Sequence, residues 1–308
     1  MIQIFRRATS DEEIKKLEKL ETGAWVNLVN PTPDEISHWS KELDVEEDVL
    51  RIALDDDEKP RIEIEDKYRI IVVRVPYIED NTVNVVPVAI IVANKFIITV
   101  ALREVDVLSG IYKKTLKNFY TTKKTRFVMQ ILSRTNNHFQ KVLNEIEKKI
   151  EHKEKTLLKS SRNEEIVQLL DVQKSLVYIN TAVVSNDKVL ERILNGKVLK
   201  LFDEDEDLLE SIIIENKESI EMVNIYSNIL ANTMDAYASI ISNNLNMVMK
   251  FLASVTIISA IPTIIASFWG MNVALPFATN AWAFPIILGI TVMLSSVATM
   301  FFVKKGYF

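Results

Sequence analysis

From residue 251 to residue 303 the chain carries no Asp, Glu, Lys or Arg, an unbroken run of 53 residues. A transmembrane helix needs roughly 20 mostly apolar residues, so the run fits two crossings and a short turn. The pattern predicts these crossings over residues 251–269 and 282–303. Between them, Gly270-Met271-Asn272-Val273-Ala274-Leu275-Pro276-Phe277-Ala278-Thr279-Asn280 has the Gly, Pro, Asn and Thr content of a turn. The competing reading is a helical hairpin buried in a soluble core, although such cores seldom go so long without a charge.

The remainder of the chain has the opposite character. All 42 acidic residues and 35 of the 37 basic ones precede residue 251, which gives that part a formal charge of −7. Nucleic acid is therefore not an expected partner, because phosphate binding needs clustered Lys and Arg. There is no cysteine, so neither disulfides nor thiolate metal sites are expected. Met1-Ile2-Gln3-Ile4-Phe5-Arg6-Arg7 leads into no long apolar stretch, and a secretory signal is not expected either. Two crossings put both ends on one side. Lys250, Lys304 and Lys305 flank the apolar segments, whereas residues 270–280 have no Lys or Arg. The positive-inside rule then predicts both termini in the cytoplasm, and the expected location is the cell (inner or plasma) membrane, crossed more than once.

The first hundred residues read as α/β. Residues 23–29 form an expected strand, and Thr32-Pro33-Asp34-Glu35 is a helix start: Thr32 caps, Pro33 suits the first helical position and Glu35 reaches back to the cap amide. A short helical pair is expected to about Leu54. Val- and Ile-rich strands follow over 61–66, 68–77, 83–92 and 96–101. No proline occurs between Pro87 and Pro262, and helical periodicity runs through 105–120, 123–159 and 164–194 before a break at Gly196. Asp203-Glu204-Asp205-Glu206-Asp207 then opens a helix with acid where the N-terminal dipole favours it. Nothing stops this helix before Gly270, and 67 residues would extend ~100 Å. The expected divisions are a cytoplasmic α/β domain (1–102), a cytoplasmic helical hairpin region (103–202), a stalk helix (203–249), a first membrane helix (250–269), an extracytoplasmic loop (270–281), a second membrane helix (282–303) and a basic cytoplasmic tail (304–308).

Alternating three- and four-residue steps along the long helix pick out Asn228, Asn232, Asp235, Ser239, Ser242, Asn246, Met249, Ala253, Thr256, Ala260, Thr263 and Ser267. A self-associating helix would fill such a heptad-spaced seam with Leu and Ile. This seam is polar or small at nearly every step and passes from stalk to membrane unbroken. The other faces hold Phe251, Val255, Ile258, Ile261, Ile265 and Phe268, suited to lipid or a neighbouring helix. Several copies around an axis would line a wet path with hydroxyl and amide oxygens, while backbone groups stay bonded within each helix. Two membrane helices per chain cannot enclose a path, so this reading demands an oligomer. Small residues at this spacing also serve tight helix packing in membranes, and Ser254 and Ser259 lie off the seam. Pro262 removes the hydrogen bond back to Ile258, which kinks the helix or leaves a carbonyl free; prolines are also tolerated in membrane helices without a role.

Gly270-Met271-Asn272, ending the first of two C-terminal apolar helices after a large charged domain, resembles the signature of the CorA magnesium transporters. Leu54-Asp55-Asp56-Asp57-Glu58-Lys59-Pro60-Arg61, Met234-Asp235-Ala236-Tyr237 and Ser242-Asn243-Asn244-Leu245-Asn246-Met247-Val248-Met249-Lys250 are similar to stretches of that family as well. The resemblance covers essentially the whole chain and implies a funnel-shaped homopentamer in the bilayer. The implied activity is membrane-potential-driven uptake of Mg²⁺, with Co²⁺ or Ni²⁺ as secondary ions. In this picture Gly270, Met271 and Asn272 form the outer selectivity turn and Asn246 a polar ring at the cytoplasmic end. Met249 and Leu252 lie in an apolar constriction, with Thr256, Ala260, Thr263 and Ser267 beyond it and Asp235, Ser239 and Ser242 in the funnel. Two features depart from the family. Residues 273–281 have no acid where many members do, and Trp269 stands where Tyr is frequent.

Mg²⁺ sheds its hydration waters reluctantly, and neutral amide carbonyls can accept hydrogen bonds from those waters without stripping them. Charged ligands would hold the ion too firmly for it to leave. A helix C-cap beside Gly270 is the plainer reading of Asn272. Members of the family are held closed by divalent ions bound between cytoplasmic domains, which makes Mg²⁺ both cargo and regulator. Candidate carboxylates for that role are Asp55, Asp56, Asp57, Asp203, Asp205 and Asp207, against the bland reading of solvated surface or helix start. The alternatives are a zinc-tuned or efflux relative and, from another class, a membrane-anchored coiled-coil scaffold, whose seam should be apolar. An enzyme is not expected, nor an organic cofactor: there is no phosphate-binding glycine loop, and His38, His138 and His152 show no ligand spacing.

Overall fold

The computed structural model describes residues 1–8, 14–79, 82–113, 119–157, 163–196, 198–273, 280 and 282–307, without the side chains of 155–157 and 163–165. The chain divides into two compact units, Met1–Asn232 and Thr233–Phe308.

Unit 1 is built on a seven-stranded sheet. Its strands are β1 (Ile2–Arg6), β2 (Lys15–Leu17), β3 (Trp25–Val29), β4 (Arg61–Ile64), β5 (Tyr68–Glu79), β6 (Thr82–Ala93) and β7 (Ile97–Ala101), in spatial order β2-β1-β3-β7-β6-β5-β4. Only β3 and β7 pair in parallel; the other neighbours are antiparallel. The helices are α1 (Pro33–Leu43), α2 (Glu47–Arg51) with a 3-10 turn over Ile52–Leu54, α3 (Asp106–Lys113), α4 (Lys124–Leu157), α5 (Asn163–Asn195) and α6 (Asp203–Trp269). The sheet is buried on both faces, so its central strands are almost wholly apolar instead of alternating. Period two still sorts the side chains. Ile71, Val73, Val88, Ile90 and Ile97 pack with Phe127, Ile131, Leu190, Ile193, Leu209 and Ile212 of α4, α5 and α6. Ile70, Val72, Ala89, Ile91 and Ile98 pack with Ile36, Leu43, Val49 and Leu50 of α1 and α2.

Local chemistry sets the element ends. Thr32 and Glu35 form the expected capping box: the Thr32 hydroxyl accepts from the Glu35 amide at 3.3 Å, and the Glu35 carboxylate accepts from the Thr32 amide at 2.8 Å. Asp44 ends α1 in the left-handed region at φ 53°, a conformation that Asp tolerates better than most residues. Pro76 and Pro87 lie on the part of the β5–β6 hairpin that overhangs β4 and β7, where fewer ladder bonds are needed. Helix α5 serves that overhang from its side chains. Asn186 pairs with the main chain of Arg74, and the Ser175 hydroxyl accepts from the Val83 amide at 3.2 Å.

The expected strands and the α1–α2 pair are present. Strands β1 and β2 had no counterpart in the sequence reading. The predicted helix over 105–120 spans Asp106–Lys113, and residues 114–118 lie outside the described residues. Helix α6 runs from Asp203 to Trp269 as expected, and α7 (Ala283–Lys304) follows in unit 2. Most of the turn between them, residues 274–279 and 281, is outside the described residues.

Candidate pore helix and its selectivity turn

Both α6 and α7 contain windows long and apolar enough to cross a membrane, and almost none of either window is buried in the molecule. A core hairpin of a soluble protein would be covered, so the buried-hairpin reading fails. Pro262 of α6 shares a groove with Thr291, Val292, Ser295 and Thr299 of α7, and Lys250 lies over the ring of Tyr307. The two helices therefore run side by side, with residues 250 and 304–307 at one end.

Exposure along the pair follows helical periodicity. On α6 the covered or half-covered positions are Ser254, Ile258, Ala260, Ile261, Ile265 and Trp269; on α7 they are Ala283, Ile287, Thr291, Ser295, Ala298, Thr299 and Phe302. This refines the sequence reading, which assigned Ile258, Ile261 and Ile265 to lipid or a neighbouring helix without choosing. The covered face takes them, while Phe251, Val255 and Phe268 stay exposed. Ser254 is fully buried and donates its hydroxyl to the Lys250 carbonyl at 2.7 Å. This polar residue off the seam thus belongs to packing within the chain.

The seam lies on the other side. Asn246, Met249, Leu252, Ala253, Thr256, Thr263 and Ser267 are exposed and Ala260 is half-exposed. At 3.6 residues per turn the seam is roughly half a turn from the covered face. Thr256 donates its hydroxyl to the Leu252 carbonyl at 2.8 Å and Thr263 to the Ser259 carbonyl at 3.1 Å. Each hydroxyl hydrogen is thus spent on the helix, and the oxygen lone pairs face outward as acceptors. Ser239 makes the same bond to the Asp235 carbonyl at 3.1 Å, and Asp235 and Ser242 are exposed beside it.

At the far end of α6 the Gly270 amide donates to the Ala266 carbonyl at 2.9 Å. Met271 and Asn272 follow, both exposed. Left-handed backbone is confined among the described residues to Gly23, Asn30, Asp44 and Gly306, so the triplet is not a left-handed helix cap. A Cβ on Gly270 would sit 3.2 Å from the Ala266 carbonyl oxygen, a tight fit that favours glycine.

The candidate regulatory carboxylates lie in two separate places. Asp55, Asp56 and Asp57 occupy the turn after the 3-10 segment, where the Asp55 carboxylate accepts from the Asp57 amide at 3.0 Å and the Asp56 carbonyl accepts from Arg74 at 2.9 Å. Asp203 and Asp207 are exposed at the start of α6, whereas Asp205 is buried and ion-paired to Arg126 at 3.2 Å. Among the described residues no group of three or more His, Asp or Glu is placed to hold a metal ion. Sequence reasoning missed the Arg126–Asp205 pair, which joins α4 to α6, and the Lys250–Tyr307 contact. Only the second left a local trace: a glycine and an aromatic directly after a basic helix end.

An α/β body whose last helix continues into an exposed apolar two-helix hairpin defines an integral membrane protein. The family described as "CorA-like Mg2+ transporter protein" matches residues 21–305, and the chain belongs to that family, which comprises transporters and not enzymes. The chain is 26% identical over 294 residues to the cobalt/magnesium transport protein CorA of Methanocaldococcus jannaschii, covering 92% of this chain and 90% of the relative. It is 20% identical over 315 residues to the cobalt/magnesium transport protein CorA of Thermotoga maritima, covering 99% of this chain and 90% of that one. In fold it is similar to the complete structure of the CorA magnesium transporter from Methanocaldococcus jannaschii, with TM-score 0.87, 22% identity and coverage of 100% of this chain and 99% of that one.

Proposed function

We propose that the chain is one subunit of a divalent-cation channel that admits Mg²⁺, and secondarily Co²⁺ or Ni²⁺, down the membrane potential. The carrying observation is that the seam of α6 is exposed while the opposite face is covered by its own chain. Membership of a family of Mg²⁺ transporters supports the cargo. In this reading several copies, a pentamer by family analogy, place their seams around one axis, with both termini cytoplasmic.

A hydrated Mg²⁺ presents water hydrogens outward, so its path needs acceptors. Thr256, Thr263, Ser267 and Asn246 supply hydroxyl and amide oxygens, and Ala260 leaves width for the ion with its waters. Met249 and Leu252 form an apolar constriction that opposes a charged species unless the ring widens. The Asn272 ring, shaped by Gly270 and Met271, accepts hydrogen bonds from the first waters without displacing them. Asp235, with Ser239 and Ser242, raises the local cation concentration in the funnel. Internal Mg²⁺ shuts the channel through the exposed carboxylates of Asp55, Asp56, Asp57, Asp203 and Asp207, shared between neighbouring subunits, whereas Asp205, buried against Arg126, drops out of that role.

Vesicles holding the purified protein and a magnesium-sensitive dye test the reading. Uptake should follow an imposed inside-negative potential, and Asn272→Ala should abolish it while the oligomer survives. Uptake unaltered by Asn272→Ala would remove the selectivity role, and absence of any cation flux from intact oligomers would remove the channel.

A further inference from the structure

Asp235 is the only acidic side chain after Glu221. The second half of α6, all of α7 and the residues beyond therefore carry three cationic side chains, Lys250, Lys304 and Lys305, with one acidic side chain on their own segment. Asp235 lies 15 residues before Lys250, about 22 Å along the helix. Among the described residues none of the three lysines forms an ion pair, and all three are exposed. They share one level, the end of the hairpin where the uncharged run begins and stops.

The chain is shaped to hold them there. After Lys304 the backbone reverses through Gly306, left-handed at φ 69°. The Gly306 amide donates to the Val303 carbonyl at 3.0 Å and the Tyr307 amide to the Phe302 carbonyl at 3.1 Å. This is the paired bonding of a Schellman end. The reversal lays the Tyr307 ring on Phe302, with centroids 5.8 Å apart, and under the Lys250 ammonium at 5.6 Å. An aromatic ring attracts a cation without neutralising it. The result is a set of three ammonium groups without an ion pair among the described residues, one of them over the Tyr307 ring, at the boundary between apolar helix and water.

We propose that this cluster is a binding site for the headgroup phosphate of an anionic phospholipid. A phosphate satisfies several ammonium donors at once. A lipid also supplies what a soluble anion lacks: acyl chains beside the exposed apolar residues Phe301 and Val303, one turn or less from Lys304. Clustered Lys at a membrane-helix end is the arrangement that anionic leaflets attract. Tyr307 orients Lys250, Gly306 places Tyr307, and Lys304 and Lys305 make the other donor contacts.

The full-length protein, delipidated in detergent, tests the site by thermal unfolding and by lipid retained in native mass spectrometry. It is titrated with phosphatidylglycerol, phosphatidylcholine and inorganic phosphate in parallel. Phosphatidylglycerol should bind on the order of tenfold or more tighter than phosphatidylcholine and raise the unfolding temperature, with no comparable effect from inorganic phosphate. Lys304→Gln combined with Lys305→Gln should remove most of that preference. Gly306→Ala should weaken it, because φ is strained there although a Cβ meets no neighbour within 4 Å, and Tyr307→Phe should retain it. Equal binding of the two lipids by the unmodified protein overturns the proposal whatever the variants do. A preference that survives the double Lys variant moves the site elsewhere, and an equal response to inorganic phosphate makes it a soluble-anion site. None of these readings involves cation flux, so the lipid site stands or falls separately from the channel.

Discussion

Asn186 of α5 grips the main chain of Arg74 from both sides: its Oδ1 accepts the Arg74 N–H at 2.9 Å and its Nδ2 donates to the Arg74 carbonyl at 2.8 Å. Strand β4 pairs with β5 only as far as Val72, so this amide takes over where the ladder ends. Asn186 is itself buried. Replacing it by Ala strands one donor and one acceptor away from water, at about 1–3 kcal/mol for each unsatisfied group. Asn186→Ala should therefore lower stability by roughly 2–4 kcal/mol, and Asn186→Asp should recover part of the loss by keeping the acceptor. Chemical unfolding of the full chain followed by tryptophan fluorescence checks this; an unchanged midpoint would show that water serves the overhang instead.

A second buried polar chain lies under the parallel strand pair. Trp25 donates its indole N–H to the Thr99 hydroxyl at 2.8 Å, and Thr99 donates in turn to Asn27 Oδ1 at 2.9 Å. All three side chains are buried. Thr99→Val keeps the shape and leaves both Trp25 and Asn27 without this partner. We expect a loss of roughly 2–3 kcal/mol with unchanged far-ultraviolet circular dichroism, and Thr99→Ser should lie close to the parent. A Thr99→Val protein as stable as the parent would mean that the network is idle.

How much of this was legible in the sequence depended on how local each signal was. The capping box at Thr32 and Glu35, the charge-free run and the bounds of α6 are properties of contiguous residues, and they could be read directly. Strands β1 and β2 could not. Their residues are short and partly charged, and Ile2 to Arg6 become a strand through pairing with β3, a long-range contact. The seam of α6 was visible as a pattern, but which of the other faces meets α7 was not. That depends on the approach of a second helix with no distinctive sequence mark. Ser254 and Pro262 illustrate the gap: both interrupt the apolar pattern, and only packing shows one buried against its own chain and the other bordering the α7 groove.

The Glu215 carboxyl on α6 is pushed above the ordinary carboxylate range, first by burial and then by Glu218 beside it. Its Oε2 is buried without a hydrogen-bond partner among the described residues. For an acid with a raised folded pKa, the contribution to stability is fully present below the unfolded value of about 4.3 and is lost as pH rises through the folded value. At pH 7 the ionised group is therefore a burden on the fold. Glu215→Gln should raise the melting temperature at pH 7, with the gain shrinking towards zero near pH 4. A gain that does not vary with pH would point to packing instead of charge.

Thr256 and Thr263 offer the most direct test of the seam, because valine matches threonine in shape and removes only the oxygen. If hydrated cations lean on these hydroxyls in passing, each ring of lost acceptors withdraws neutral hydrogen bonds worth about 1 kcal/mol apiece. With each 1.4 kcal/mol of barrier worth about tenfold in rate, Thr256→Val or Thr263→Val should slow Mg²⁺ uptake into dye-loaded vesicles roughly three- to tenfold. Serine at either position should restore most of it. Both side chains are exposed in the subunit and bond only to their own helix, so oligomer size and melting temperature should barely move. The packing alternative predicts the reverse: small residues chosen for close helix contact would respond to Thr→Val through assembly, leaving flux per intact oligomer unchanged. Parallel measurement of oligomer size and flux on one preparation separates the two outcomes, and a loss of assembly with normal flux per oligomer would end the pore reading of the seam.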